Sequence, residues 1–168
     1  MSAEAMIDAS LFMGMHSTDD TIRLRCKSFF AQRMADRVSM SLEHVGFCDN
    51  LVWSHPRAEQ DAYYPFMDVL HTDMRIDRIG YEETDLKFAL DRAWPPDLPW
   101  HERLLLAMAT RLGATVHTAS SRLTARTDLP AAVVSVWNTA EESTVDFPQP
   151  LERLYEESLA LRVAPERV

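Results

Sequence analysis

The fold is decided by the stretch Glu102–Ser120, which reads ERLLLAMATRLGATVHTAS. Apolar residues recur in it at helical spacing as far as Leu112, and Gly113 stands where helices commonly end in the left-handed conformation. The following residues, 114–118, have the β-branched and alternating character of a strand. A helix that leads directly into a strand is half of a βαβ unit, so this stretch predicts a parallel sheet.

The same alternation of strands and helices extends along the rest of the chain. Short apolar or alternating runs predict strands near 5–8, 37–41, 74–79, 114–118 and 131–137. Helical spacing fills the segments between them, and Pro65 is expected to divide the helical segment 57–71 into two short pieces. Repeated βαβ units predict an α/β fold, a three-layer α/β/α sandwich with a mostly parallel sheet covered on both faces.

The composition indicates one globular domain. The 168 residues suffice for a single core, and a hydrophobic content of 46% lies in the globular range. We divide the chain into an α/β domain at 1–138, a polar linker at 139–150, and an amphipathic C-terminal helix with a tail at 151–168. We expect a cytoplasmic protein with no membrane role, because no apolar run approaches roughly 20 residues and no signal-peptide pattern opens the chain.

Three acidic residues stand at points that the predicted topology brings together. Asp8 lies at the end of the first strand, Glu43 begins the helix after the second strand, and Glu102 begins the helix before the fourth. The helix dipole and capping also favour acids in first helical turns, so Glu43 and Glu102 each have a purely structural explanation. Asp8 is harder to explain in that way, because a buried charge must be paired or bound to metal. Carboxylates that converge on one crevice favour Mg²⁺ or Mn²⁺.

With these acids in their order and spacing, the chain resembles the PIN-like domain family over about residues 6–137. Residues 7–10 are similar to the family's opening strand with its metal-binding aspartate, and residues 39–43 to the step that carries its glutamate. The stretch Glu102–Ser120 is similar to the family's acid-led helix, glycine, strand and Thr-x-Asp ending. This chain departs from the family twice there, with Glu102 and Ser120 at positions where the family normally has aspartate.

The resemblance implies a parallel five-stranded sheet and a divalent-metal-dependent nuclease that hydrolyses phosphodiester bonds, most often in RNA. The implied catalytic residues are Asp8, Glu43, Glu102 and Ser120. Asp8 and Glu102 would hold Mg²⁺ or Mn²⁺ directly, and Glu43 would hold the ion or orient its water. Because Ser120 replaces an acidic ligand, one ion is expected rather than two, in a weakened site.

Substrate contacts are expected around the same crevice. Thr118, a retained family position, would order the end of the fourth strand, and Arg122 or Arg126 could meet a substrate phosphate. Trp100 follows a proline-rich loop and could stack on a base, although simple burial is the more common reason for a tryptophan at such a place. The net charge of −9 argues against a chain that coats nucleic acid, which leaves room only for a local basic patch.

The resemblance leaves the biological role open between two readings. The first is a toxin-type ribonuclease with RNA as substrate, an antitoxin or other protein as partner, and a homodimeric state. The second is a PIN-like protein with altered catalysis that binds a protein partner or acts on a small molecule rather than nucleic acid. A fold alone does not decide between such functions.

Overall fold

A five-stranded, all-parallel sheet forms the centre of the computed structural model, which describes residues 4–138 and 145–168. Its strands are β1 (Ala5–Ile7), β2 (Arg37–Ser41), β3 (Arg75–Ile79), β4 (Thr115–Thr118) and β5 (Val133–Ser135). They lie in the order β3-β2-β1-β4-β5, and every neighbouring pair is parallel. The predicted parallel sheet of five strands is confirmed.

Helices follow or precede each strand in the described part of the chain. They are α1 (Ala9–Gly14), α2 (Asp20–Ala31), α3 (Leu42–Trp53), α4 (Arg57–Asp73), α5 (Glu83–Asp91), α6 (Trp100–Leu112), α7 (Ser121–Thr124) and α8 (Leu151–Ser158). Short 3₁₀ turns follow at Val136–Asn138 and Pro165–Arg167. Within the described ranges, none of these helices has the length and apolar character that crossing a membrane requires.

Both faces of the sheet are covered. Met6 and Ile7 are adjacent in β1 and fully buried, yet they belong to two different apolar clusters. Successive side chains of a strand point to opposite faces, so the two clusters are the cores on the two sides of the sheet. The three-layer α/β/α sandwich predicted from the sequence is confirmed.

The strand order creates a crevice at the centre of one sheet edge. From β1 the chain passes to β2 and β3 on one side, then returns to β4 and β5 on the other. Open α/β sheets bind ligands at this kind of reversal, outside the carboxyl ends of the strands. Ile7 pairs with His117 across β1 and β4, so Asp8 and Thr118 lie side by side at that edge.

The helix α1 follows β1 directly and is absent from the sequence predictions. Asp8 is its N-cap, since its side chain accepts a hydrogen bond from the backbone N–H of Leu11 at 2.9 Å. Five of the six α1 residues are buried, which removes the periodicity that distinguishes a helix from a strand. A short, continuously apolar run is ambiguous between the two for this reason.

The prediction that Pro65 divides a helix is wrong, because α4 continues through it. Pro65 is exposed, so the backbone carbonyl that loses its helical partner can bind water instead. Tyr63, Phe66 and Leu70 around it are fully or almost fully buried against the core. Their burial in one apolar face outweighs the local cost of the proline.

The C-terminal helix α8 packs into the main core. It lies within the segment 151–168, where the sequence predicts an amphipathic helix with a tail, whereas residues 139–144 of the predicted linker lie outside the described residues. Leu151 and Tyr155 join the same apolar cluster as the buried residues of α4. Lys27 of α2 donates a hydrogen bond of 2.6 Å to Glu152 of α8, and both side chains are buried.

Gly14 is expected to be intolerant of any side chain. A Cβ at this position would stand 2.4 Å from Cys26 Sγ, so Gly14→Ala should cost about 1–3 kcal/mol of unfolding free energy. Chemical denaturation measures this cost. The double variant Gly14→Ala, Cys26→Ala removes the clashing sulfur and should recover part of the loss relative to Cys26→Ala alone. Strictly additive effects of the two substitutions would contradict this account.

Candidate active site

A cavity of about 430 Å³ opens at the carboxyl ends of β1 and β4, where the strand order reverses. Asp8, Glu102 and Ser120 line it, so three of the four predicted catalytic residues meet there. The lining also includes residues outside the predicted site set, namely His44, Phe47, Asn50, Ser54, His101 and Arg167. A volume of this order is typical of pockets that bind a small molecule or part of a larger ligand.

Asp8 is a buried carboxylate held by three donors. Oδ1 accepts hydrogen bonds from Ser10 Oγ at 2.7 Å and from Leu11 N–H at 2.9 Å, while Oδ2 accepts one from Thr118 Oγ1 at 2.5 Å. Burial raises the pKa of Asp8, and these hydrogen bonds act against that rise. The donors fix the carboxylate in one orientation at the crevice.

Glu102 is the second buried carboxylate of the cavity. Arg122 donates to its Oε1 from Nε at 3.0 Å and from a terminal nitrogen at 2.5 Å. The other oxygen, Oε2, is buried and has no hydrogen-bond partner among the described residues. A buried carboxylate oxygen without a partner is costly, so Oε2 marks a position where a ligand would be stabilised.

Ser120 and Thr118 lie at the end of β4, as the sequence predicted. Ser120 is half-buried, lines the cavity, and precedes α7 as its N-cap residue. Its backbone N–H donates to Thr118 Oγ1 at 2.9 Å, and the same hydroxyl donates to Asp8. Thr118 therefore connects the fourth strand to the Asp8 carboxylate and orders this edge of the sheet.

Glu43 lies in the first turn of α3, as predicted, but its side chain does not line the cavity. Its Oε1 accepts a hydrogen bond of 3.3 Å from the Tyr81 hydroxyl. The next residue, His44, lines the cavity instead, because consecutive side chains on a helix point about 100° apart. The structure thus brings Asp8 and Glu102 together with His44 rather than with Glu43.

His44 has a fixed protonation pattern in the cavity wall. The backbone N–H of Ala9 donates to His44 Nδ1 at 3.0 Å, so a neutral ring carries its proton on Nε2. Burial, together with the charge of His101, lowers the pKa of His44 to about 4, which keeps the ring neutral near pH 7. Its Nε2 is buried and unpartnered within the described ranges, which makes it a hydrogen-bond donor available to a ligand.

An aromatic wall stands beside His44. Phe47 makes edge contacts with His44 and with His101, each at a centroid distance of 5.3 Å. Phe47 is 40% exposed, so one side of its ring faces outward near the cavity. No sequence signal pointed to this residue, because a single phenylalanine on a helix is usually a core residue.

Two of the predicted substrate contacts lie outside the cavity lining. Arg126 pairs with the exposed Asp97 rather than with a cavity residue. Trp100 is half-exposed at the start of α6, next to His101 and Glu102, but only those two neighbours line the cavity. Arg122 is therefore the predicted basic residue that the structure brings to the site.

The oxygen atoms that line the cavity form an open arrangement rather than a closed metal cage. In the described part of the chain, no group of three or more His, Cys, Asp or Glu is arranged to hold a metal ion. Mg²⁺, however, usually keeps several waters and takes one or two carboxylates plus substrate phosphates. Asp8 and Glu102 with the Ser120 hydroxyl match that open arrangement, and Oε2 of Glu102 is a donor without a partner.

Comparison with protein families identifies the chain's relatives. The model described as a family of unknown function, DUF6190, matches residues 1–168. The chain belongs to the DUF6190 family. No curated protein matches this DUF6190 sequence.

Solved structures share the fold of the DUF6190 chain. VapBC2 from Rickettsia felis, solved bound to a DNA fragment from its promoter, is 11% identical with a TM-score of 0.53, covering 78% of this chain and 97% of that one. PAE2754 from Pyrobaculum aerophilum is 16% identical with a TM-score of 0.54, covering 93% of this chain and 99% of that one. At such identities the likeness concerns the fold alone, and it supports the PIN-like architecture.

Proposed function

We propose that this chain hydrolyses phosphodiester bonds in RNA with one divalent ion, Mg²⁺ or Mn²⁺, held by Asp8 and Glu102. One observation carries the proposal: both buried carboxylates line one cavity at the carboxyl ends of β1 and β4, and Glu102 Oε2 has no partner there. A hard cation is the ligand that best compensates a buried, unpaired carboxylate oxygen.

Asp8 and Glu102 would be the direct ligands, with the Ser120 hydroxyl beside them. The ion, when bound, supplies a water of lowered pKa and stabilises negative charge on the phosphate. Ser10 and Thr118 hold the Asp8 carboxylate in place through hydrogen bonds of 2.7 and 2.5 Å. With serine in place of a fourth acid, Asp8 and Glu102 would hold one ion weakly in the absence of substrate.

The remaining lining residues would bind the substrate. The Nε2–H of His44 is an uncharged donor for a phosphate oxygen, and the exposed side of Phe47 can stack on a base. Arg122, which lines the cavity, is the cation that we assign to a substrate phosphate. Glu43 does not line the cavity and accepts a hydrogen bond from the Tyr81 hydroxyl, so we assign it to orienting water rather than to direct binding.

A toxin role with a protein partner fits this proposal. VapBC2, one of the structures with the same fold, was solved bound to promoter DNA. We propose by analogy that this chain acts in the cytoplasm, pairs with an antitoxin-like protein, and forms a homodimer. Co-expression with the product of a neighbouring small gene and purification of a stable complex would support this role, and separate elution of the two proteins would oppose it.

A small anionic molecule is the second candidate substrate. The ion pair between Arg122 and Glu102 neutralises one of the two acids, which is unlike an open cluster of carboxylates. Arg122, Arg167 and His44 could together receive a phosphate or carboxylate in a cavity of about 430 Å³. This candidate would be favoured if the protein leaves RNA intact and a mononucleotide raises the melting temperature of the protein.

The nuclease proposal is tested by incubating the purified protein with single-stranded RNA and Mn²⁺. We expect cleavage that EDTA abolishes and that added Mn²⁺ in excess restores. The Asp8→Asn variant, purified in parallel, is expected to be inactive and controls for contaminating nucleases. Cleavage that survives EDTA, or equal cleavage by the variant, would refute the proposal.

Ser120→Asp should strengthen the site. An additional carboxylate at the cavity wall is expected to raise Mn²⁺ affinity and RNA cleavage about tenfold, because ligand charge count sets affinity for hard cations. Aspartate is also a good N-cap, so α7 should tolerate the change. Ser121→Asp adds the same charge one residue away, on an exposed side chain, and is the matched control. Equal gains from both variants would show that the effect is long-range charge rather than ligation.

A further inference from the structure

The negative charge of Glu102 is already balanced within the protein by Arg122. Its side chain is only 5% exposed, and Arg122 contributes two hydrogen bonds to the single oxygen Oε1. Any divalent ion at Oε2 would therefore stand a few ångströms from a guanidinium cation. Like charges at such separations repel strongly in a partly buried site, where water screens them poorly.

Arg122 is the more exposed partner of this pair. Its side chain is 52% exposed, so the guanidinium can move into solvent without opening the core. It stands on α7, a helix of four residues whose only buried member is Leu123. Glu102, in contrast, is fixed by burial at the start of α6. Of the two partners, Arg122 is therefore the one with room to move.

We infer that Arg122 competes with the divalent ion for Glu102 and releases the carboxylate when it binds a phosphate of the substrate. This inference rests on the proposed function. Arginine matches phosphate geometry well, so a substrate phosphate offers the guanidinium an alternative anionic partner. Metal and substrate then bind cooperatively, since each needs Arg122 away from Glu102. The free protein holds its metal weakly, and RNA or another phosphate-bearing ligand strengthens that binding.

The coupling can be measured without catalysis. Electron paramagnetic resonance detects free Mn²⁺ and so gives the dissociation constant of Mn²⁺ from each protein. The proteins compared are the wild type, Arg122→Met and Arg122→Lys, and circular dichroism checks that each is folded. Arg122→Met keeps the aliphatic stem but removes the cation, and should tighten Mn²⁺ binding about fivefold, as expected for loss of a half-exposed ion pair. Arg122→Lys should be intermediate. Arg153→Met removes another solvent-exposed arginine, which pairs with Glu157 outside the cavity, and should leave Mn²⁺ binding unchanged.

Sulfate serves as the anion probe, at an ionic strength matched with chloride. It should tighten Mn²⁺ binding to the wild type and have no such effect on Arg122→Met, because only the wild type has an arginine to withdraw. Equal Mn²⁺ affinities for wild type and Arg122→Met would overturn this inference and leave the proposed function standing. Failure of both proteins to bind Mn²⁺ at millimolar concentration would instead remove the proposed function, and the inference with it.

Discussion

Glu102→Gln is expected to lower Mn²⁺-dependent RNA cleavage by about 100-fold or more, since even the outer partners of metal ligands contribute 10–100-fold. The amide keeps the shape of the side chain but loses the negative charge that a divalent ion requires. Because Arg122 also loses its anionic partner, the variant should leave this arginine free to bind phosphate. RNA binding should therefore persist while cleavage is lost.

Initial cleavage rates at saturating RNA, with RNA binding measured separately in EDTA, distinguish these two effects. Glu83→Gln is the matched control, because Glu83 also lies in a first helical turn but is exposed and pairs with Lys87. It should cleave at the wild-type rate. Wild-type cleavage by Glu102→Gln would exclude Glu102 as a metal ligand, whereas simultaneous loss of RNA binding would show that the residue positions substrate.

Acidification from about pH 7 to about pH 4.5 should lower the free energy of unfolding by about 5 kcal/mol through two buried histidines. Burial lowers the pKa of His16 to about 3 and that of His44 to about 4, from an ordinary value of 6.5. As the pH falls below 6.5, the unfolded chain takes up protons at these positions while the folded chain does not. Stability is therefore lost as the pH falls through this window.

The pKa shift of Asp8 changes the free energy of unfolding with pH in the opposite direction. Burial raises its pKa, so its contribution is present at low pH and is lost as the pH rises through the raised value. Part of the histidine effect is thereby offset at the acid end of the window.

Chemical denaturation at several pH values tests the histidine prediction, because the slope of stability against pH counts the protons taken up on unfolding. His16→Gln should reduce that slope by about one proton between pH 6.5 and about 4.5, whatever it does to stability at neutral pH. His16 is completely buried, and its Nε2 lies 2.8 Å from Ser158 Oγ. An unchanged slope in the variant would mean that His16 is protonated in the folded protein.

The sequence predicted the sheet well because residues that end helices mark the boundaries between its helices and strands. Gly113 ends α6 with a φ of 62°, a conformation that favours glycine, and β4 begins two residues later. Where such boundary signals were weak or misleading, the predictions failed. The helix α1 is apolar throughout and shows no period, and Pro65 sits on an exposed side of α4 where its cost is small.

The site was harder to predict than the fold because contacts across the sheet are not visible in the spacing of residues along the chain. Asp8, Glu102 and Ser120 follow from strand ends and helix starts, and the structure brings them to one cavity. Whether Glu43 or His44 faces the cavity depends on the rotation of α3 about its axis, which the sequence of the strand-to-helix step does not fix. The pairing of Arg122 with Glu102 depends on α7, a four-residue helix with no sequence signal.

The most direct test of the account is calorimetric titration of the wild type and Asp8→Asn with Mn²⁺ at neutral pH. Asparagine is as good an N-cap as aspartate, so the variant should keep α1 and the fold. We expect one binding site in the wild type and none in Asp8→Asn. Equal Mn²⁺ binding by the two proteins, or no binding by the wild type at millimolar Mn²⁺, would contradict the claim that Asp8 and Glu102 form a metal site.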